Sequence, residues 1–148
     1  EYHGGGHGID VRKEGSDEFL YLSDTKHGVV AKTSLSGEVV WTIGRPAAPE
    51  HYTDTKQRYS PTNIAFAPDG GFYVGDGYGS HFIHKYTKEG KPEFYWGGSG
   101  TEPGKMKTPH GMWLDERENI LVLSIRSAFR PILISRETSW SSPICTRV

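Results

Sequence analysis

Three short segments each open on a polar residue and then set apolar side chains two and four positions further on: His7-Gly8-Ile9-Asp10-Val11, Thr62-Asn63-Ile64-Ala65-Phe66 and His110-Gly111-Met112-Trp113-Leu114. A period of two belongs to a strand with one face against a core, because successive side chains point to opposite faces. Behind the first two segments the same order of elements recurs. A second strand ends in aspartate (Phe19 to Asp24; Phe72 to Asp76), a third leads into a glycine turn (Ser36-Gly37; Glu89-Gly90), and a fourth closes on Trp41 or Trp96. Asp69-Gly70-Gly71 gives the same kind of hairpin signal ahead of Phe72. Ile9 and Trp41 are 32 residues apart, as are Ile64 and Trp96, the equality expected of a duplicated unit.

Four short antiparallel strands per repeat make a blade, and blades bury their faces only against neighbouring blades. The pattern therefore predicts an all-β chain of about three β-propeller blades, at 7–46, 62–100 and 110–135, where a closed ring needs more. A sandwich of independent hairpins is the alternative. The third repeat departs from the pattern after Ile120-Leu121-Val122-Leu123: from Ser124 onward there is neither the aspartate nor the glycine turn. Ile132-Leu133-Ile134 fits one more strand, and 136–148 reads as an irregular tail.

Composition narrows the function classes. The chain has 148 residues, with 17 Lys and Arg against 18 Asp and Glu, so no strong field recruits nucleic acid or an anionic membrane. Nineteen glycines suit tight turns better than helices. No apolar run approaches the length that spans a bilayer. Cys145 is the only cysteine, which rules out an intrachain disulfide and leaves the redox compartment open. The chain opens on Glu1, so it reads either as leader-trimmed or as part of something longer.

In a propeller the starts of the innermost strands line a central channel, so equivalent positions converge despite wide separation in sequence. His7 and His110 are such equivalents, each followed by a glycine that permits close approach. Neutral imidazole is a common zinc ligand, and catalytic zinc sites use three protein ligands with one position open. The pair thus reads either as two members of a zinc site or as strand caps bonded to neighbouring blades. His3 is a further candidate donor, whereas His27, His51, His81 and His84 fall in turns or outer strands and are expected to be solvated. Asp76 ends a strand and is expected to accept N–H groups of the following turn. Tyr78 stands on that Gly-flanked turn, where a phenol beside a metal would serve as a base.

With these residues in view, the chain resembles the NHL-repeat propellers and, among them, the peptidyl-α-hydroxyglycine α-amidating lyases. The likeness runs from His7 to Arg126 and rests on His7-Gly8-Ile9-Asp10, Ile43-Gly44-Arg45-Pro46, Ser60-Pro61-Thr62-Asn63-Ile64-Ala65, Asp76-Gly77-Tyr78, Trp96-Gly97, Pro103-Gly104-Lys105-Met106 and Pro109-His110-Gly111. The resemblance implies a six-bladed ring in which three histidines hold zinc, His7 and His110 matching two of them. It also implies Tyr78 as the catalytic tyrosine, an active-site arginine at Arg126, and a calcium ion bound partly through the carbonyl of Ile9. The implied reaction is carbon–nitrogen cleavage releasing an amide and glyoxylate, with a peptide or small molecule at the central channel and a secreted or periplasmic location. Competing with this are a non-catalytic NHL module that binds a protein or ligand on its open face, and a homodimer of half-rings completing six blades.

Overall fold

The computed structural model describes residues 4–47, 52 and 57–124, and the backbone of Ile132–Ile134 and Cys145–Arg147. All the described regular structure is strand, in three antiparallel sheets of four. Blade 1 runs β1 (Gly6–Glu14), β2 (Asp17–Asp24), β3 (Val29–Ser34), β4 (Val39–Ile43), and blade 2 runs β5 (Asn63–Phe66), β6 (Phe72–Gly75), β7 (Phe82–Tyr86), β8 (Pro92–Gly97). Blade 3 holds β9 (Pro109–Leu114), β10 (Ile120–Ser124), β11 (Ile132–Ile134) and β12 (Cys145–Arg147). In every blade the spatial order is the chain order, so neighbouring strands pair with their neighbours in sequence. The turns between third and fourth strands use the glycines the sequence marked: Gly37 and Gly90 sit at φ +90° and +79°, where a side chain is disfavoured.

The blades stack through matched faces. Each first and second strand together present two cross-strand apolar pairs on the face that looks back along the series: Ile9 with Leu22 and Val11 with Leu20, Ile64 with Val74 and Phe66 with Phe72, Met112 with Val122 and Leu114 with Ile120. In blade 2 this trailing face packs on Tyr21, Val30, Trp41 and Ile43 of blade 1. Trp41 stacks on Phe72 at 5.5 Å and Phe72 stacks in turn on Tyr86 at 5.3 Å, an aromatic column across the blade boundary. The opposite, leading face of blade 2 places Ala65, Tyr73, Ile83 and Trp96 against Met112, Ile120 and Val122 of blade 3, with Met106 filling the gap. All four residues of β6 are buried, since both faces of that strand are covered.

Outward from blades 1 and 3 the same faces lie open. Ile9 and Val11 are 64% and 57% exposed on the trailing face of blade 1, and Trp113 and Leu123 are 68% and 43% exposed on the leading face of blade 3. The three blades are a partial β-propeller. In blade 3 the sequence-predicted strand at Ile132–Ile134 pairs with β10, and within the stretch read as an irregular tail Cys145–Arg147 pairs with β11, so the blade reaches four strands without the usual turn signals. His84 corrects another expectation: it lies on β7, whose blade is covered on both sides, and is buried against Tyr52 and Tyr59 rather than solvated.

Candidate metal and catalytic site at the blade starts

β5 packs between β1 and β9, so the three blade starts adjoin. Two of them carry an extra residue. On blade 1, Gly6 pairs with Asp24 and Gly8 with Ser23, leaving His7 supernumerary; on blade 3, Pro109 pairs with Ser124 and Gly111 with Leu123, leaving His110 supernumerary. Such a bulge re-aims a side chain out of the strand's alternation. In blade 2 the ladder begins at Asn63, paired with Gly75, and the buried Thr62 takes the place of the histidines, its N–H donating to the Gly75 carbonyl at 2.8 Å.

Side chains from all three blades meet here. The rings of His7 and His110 lie edge to face with centroids 4.5 Å apart, and the ring of Tyr78 is 5.4 Å from the first and 5.6 Å from the second. The Tyr78 hydroxyl is 2.8 Å from Nε2 of His110. Nδ1 of His7 lies 2.8 Å from the Thr62 carbonyl. A carbonyl only accepts, so Nδ1 carries the proton and donates, and Nε2 of neutral His7 keeps its lone pair. Burial, and secondarily the neighbouring His7, hold the His110 pKa below the ordinary histidine range, which favours neutral imidazole there as well.

Each group is tied down by backbone. Thr62 Oγ1 donates to the Pro109 carbonyl at 2.7 Å, so His7, Thr62 and Pro109 form one hydrogen-bonded line across the three starts. Gly8 lets this line close, because a Cβ there would stand 2.6 Å from the Thr62 carbonyl; at Gly111 a Cβ would meet only Leu123, in ordinary contact. Tyr78 is carried by a turn that Asp76 organises. The Asp76 carboxylate is buried and accepts from the N–H groups of Ser60 (2.6 Å) and Ser80 (2.7 Å), the Ser80 hydroxyl (2.6 Å) and the Tyr52 hydroxyl (2.7 Å). A Cβ on Gly77 would collide with the Pro109 carbonyl and the Thr62 side chain, so only glycine lets the turn lie this close to blade 3. The phenol itself remains half-exposed. Beside it His81 and Thr108 both hold positive φ, +65° and +53°, conformations tolerated where the surroundings over-determine them.

Thr62, Ser60 and Tyr52 were not singled out from the sequence. Thr62 was detectable as the occupant of the repeat position shared by His7 and His110; Tyr52, in a connector without pattern, was not. Ile9 lies in the β1 ladder opposite Leu22 with its side chain on the exposed trailing face. Arg126, His3 and His51 lie outside the described residues. His27 pairs with Asp24, its Nδ1 2.7 Å from the carboxylate. Among the described residues no group of three or more His, Cys, Asp or Glu is disposed to hold a metal; the cluster offers two imidazoles and a phenol. Next to His7 a cavity of about 420 Å³, bounded by Gly6, Ile9, Leu22 and Asp24, opens on the trailing side of blade 1.

No family model matches the chain. Among solved structures it is similar to a streptogramin B lyase, with a TM-score of 0.67 at 14% identity over 94% of this chain and 40% of that one. It is also similar to a catalytically inactive variant of virginiamycin B lyase from Staphylococcus aureus solved with quinupristin (TM-score 0.64, 16% identity, 91% and 39%). The major allergen Mala s 1 of Malassezia sympodialis gives 0.62 at 17% identity over 90% and 45%. The chain spans less than half the length of each of these proteins. At such identities the likeness is one of fold, and together with the three matched four-stranded sheets it makes this chain part of a β-propeller.

Proposed function

We propose that the blade-start cluster is the centre of a zinc-dependent lyase of the NHL-propeller type, which cleaves the N–C bond of a peptidyl-α-hydroxyglycine to give a peptide amide and glyoxylate. The observation that carries this reading is the meeting of His7, Tyr78 and His110, drawn from three blades to ring separations of 4.5–5.6 Å. The donors suit zinc: two imidazoles, one oriented by a carbonyl behind its Nδ1 and the other with its pKa lowered by burial. His7 and His110 would hold the ion, with a third protein donor and a calcium ion bound through the Ile9 carbonyl belonging to the same reading. Bound there, zinc supplies Lewis acidity toward a substrate hydroxyl.

The chain's own residues account for the proton movements. As the phenolate, Tyr78 would take the proton of the α-hydroxyl; the hydroxyl oxygen becomes the carbonyl oxygen of glyoxylate as the C–N bond breaks, its electron pair leaves with the nitrogen, and Tyr78 passes the same proton to that nitrogen to give the amide. No electrons are exchanged with a third party. Arg126 is assigned to the substrate carboxylate, for which a guanidinium provides two parallel hydrogen bonds. Similarity to two proteins named as lyases supports the reading through fold alone. Purified chain is expected to carry close to stoichiometric zinc that His7→Ala and His110→Ala lose, and to release glyoxylate from an α-hydroxyglycine peptide. Tyr78→Phe should keep the zinc and lose about 10²- to 10⁴-fold in turnover. Zinc-loaded chain that releases no glyoxylate would overturn the lyase. A non-catalytic module is the second reading, favoured by the cavity beside His7, whose volume falls in the range of small-ligand sites; zinc-free chain with a native circular dichroism spectrum would decide for it.

A further inference from the structure

One carboxylate ties together the two segments that carry the blade-start cluster. Oδ1 of Asp76 accepts from the N–H of Ser60, two residues ahead of Thr62, whose carbonyl orients His7 and whose hydroxyl holds the Pro109 carbonyl next to His110. Oδ2 accepts from the N–H and the hydroxyl of Ser80, two residues past Tyr78. The segments also meet directly, the Tyr78 N–H donating to the Ser60 carbonyl at 3.4 Å. A shift of this carboxylate therefore moves the carbonyl behind His7 and the turn under Tyr78 together. Asp76 is fully buried and forms no ion pair among the described residues, so neutral donors hold its charge and the loss of one is felt by the rest.

Three of the four donors belong to those two segments. The fourth is the hydroxyl of Tyr52, which comes from the connector between blades 1 and 2 and reaches Oδ2 at 2.7 Å. Tyr52 is itself seated from behind. Nε2 of His84 lies 3.2 Å from the Tyr52 oxygen; a hydroxyl has one proton and the carboxylate takes it, so the imidazole N–H donates, and the hydrogen bonds run in one direction from His84 through Tyr52 to Asp76. The His84 ring stacks on that of Tyr52 at 6.1 Å, Tyr59 meets it edge-on at 6.4 Å, and the Arg45 guanidinium lies over it at 5.6 Å. We infer that Tyr52 is a positioning residue of the cluster: through Asp76 it sets the Thr62 carbonyl behind His7 and the turn that carries Tyr78. It touches none of the reacting groups itself. The inference rests on the reading of that cluster as the reactive centre.

Tyr52→Phe removes the hydroxyl and keeps the ring, and Tyr21→Phe is its control. The Tyr21 phenol is also buried at the boundary of blades 1 and 2 and also donates to a carboxylate at 2.7 Å, but it serves Glu14 rather than Asp76. Urea unfolding should show both variants folded, with comparable losses of stability. In zinc-free chain the imidazole nitrogen resonances of His7 and His110, assigned with His7→Ala and His110→Ala, should move in Tyr52→Phe and stay in place in Tyr21→Phe. In zinc-loaded chain Tyr52→Phe should lose about 10- to 100-fold in turnover at nearly constant KM, and Tyr21→Phe should lose nothing. Ser80→Ala, which withdraws the other hydroxyl from the same oxygen, should move the same resonances, and it carries the test should Tyr52→Phe not fold. Resonances left in place by Tyr52→Phe overturn the inference, as do resonances moved as far by Tyr21→Phe, since Tyr52 would then act on stability alone. The imidazole readout needs neither metal nor substrate, so chain that holds no zinc or releases no glyoxylate overturns the lyase reading and is told apart from failure of this one.

Discussion

Blades 1 and 2 share one plan, yet equivalent residues live in different surroundings. Phe72 lies fully buried between Trp41 and Tyr86, while Leu20, its counterpart opposite Val11, is only half-buried on a face that no other described strand covers. Asp76 is closed in by four donors; Asp24 answers mainly to the backbone and ring of His27, which is itself exposed. The strand plan is thus carried locally by each repeat, whereas the energy that fixes it comes from the neighbours on either side.

The sharpest break in that comparison is Phe72→Ala, expected to cost about 3–5 kcal/mol, against roughly 1 kcal/mol for Leu20→Ala. Urea unfolding of dilute, monomeric chain measures both, and equal losses would mean that the trailing face of blade 1 is not open. Next in size, Asp76→Ala should cost about 2–4 kcal/mol by orphaning buried donors, and Asp24→Ala about 1 kcal/mol. The first should also detach the Tyr78 hydroxyl from His110, visible as a changed His110 ring shift by NMR, which the second should not disturb. Smallest is a pH effect of the bulged histidine of blade 3. Its folded pKa lies below the unfolded value near 6.5, so the unfolded chain binds the proton more readily. Its contribution to stability is complete above that value and declines as pH falls from it toward the folded pKa; His110→Gln should flatten the slope in that window.

Much of this was legible in the sequence for a physical reason. Alternation with period two and glycine turns are local properties, so β1 to β10 derive from them, and the recurrence of His7 and His110 at one repeat position forecast their approach. Tyr78 was found through its glycines. What escaped depends on the partner rather than on the residue. Lys32 and Lys85, at matching places on β3 and β7, carry no mark of burial in the sequence, yet both are buried beneath aromatic rings, paired with Glu14 at 2.7 Å and with Asp69 and Glu93 at 2.8 and 2.9 Å. His84 escaped for the same reason. The strand at Cys145–Arg147 has no turn signal ahead of it, and its pairing with β11 is a property of the blade, not of those three residues.

The two supernumerary histidines make the chemistry separable from the architecture. In the middle blade Thr62 stands in the place of the two histidines, and the ladder beyond it runs from Asn63 to Gly75 as that of the first blade runs from Gly8 to Ser23. Exchanging the side chain at position 7 or 110 would therefore erase a nitrogen ligand while keeping the backbone plan that the middle blade already uses. A propeller of this kind acquires or discards a reactive centre by substitution at the hub, on a main-chain path common to its blades.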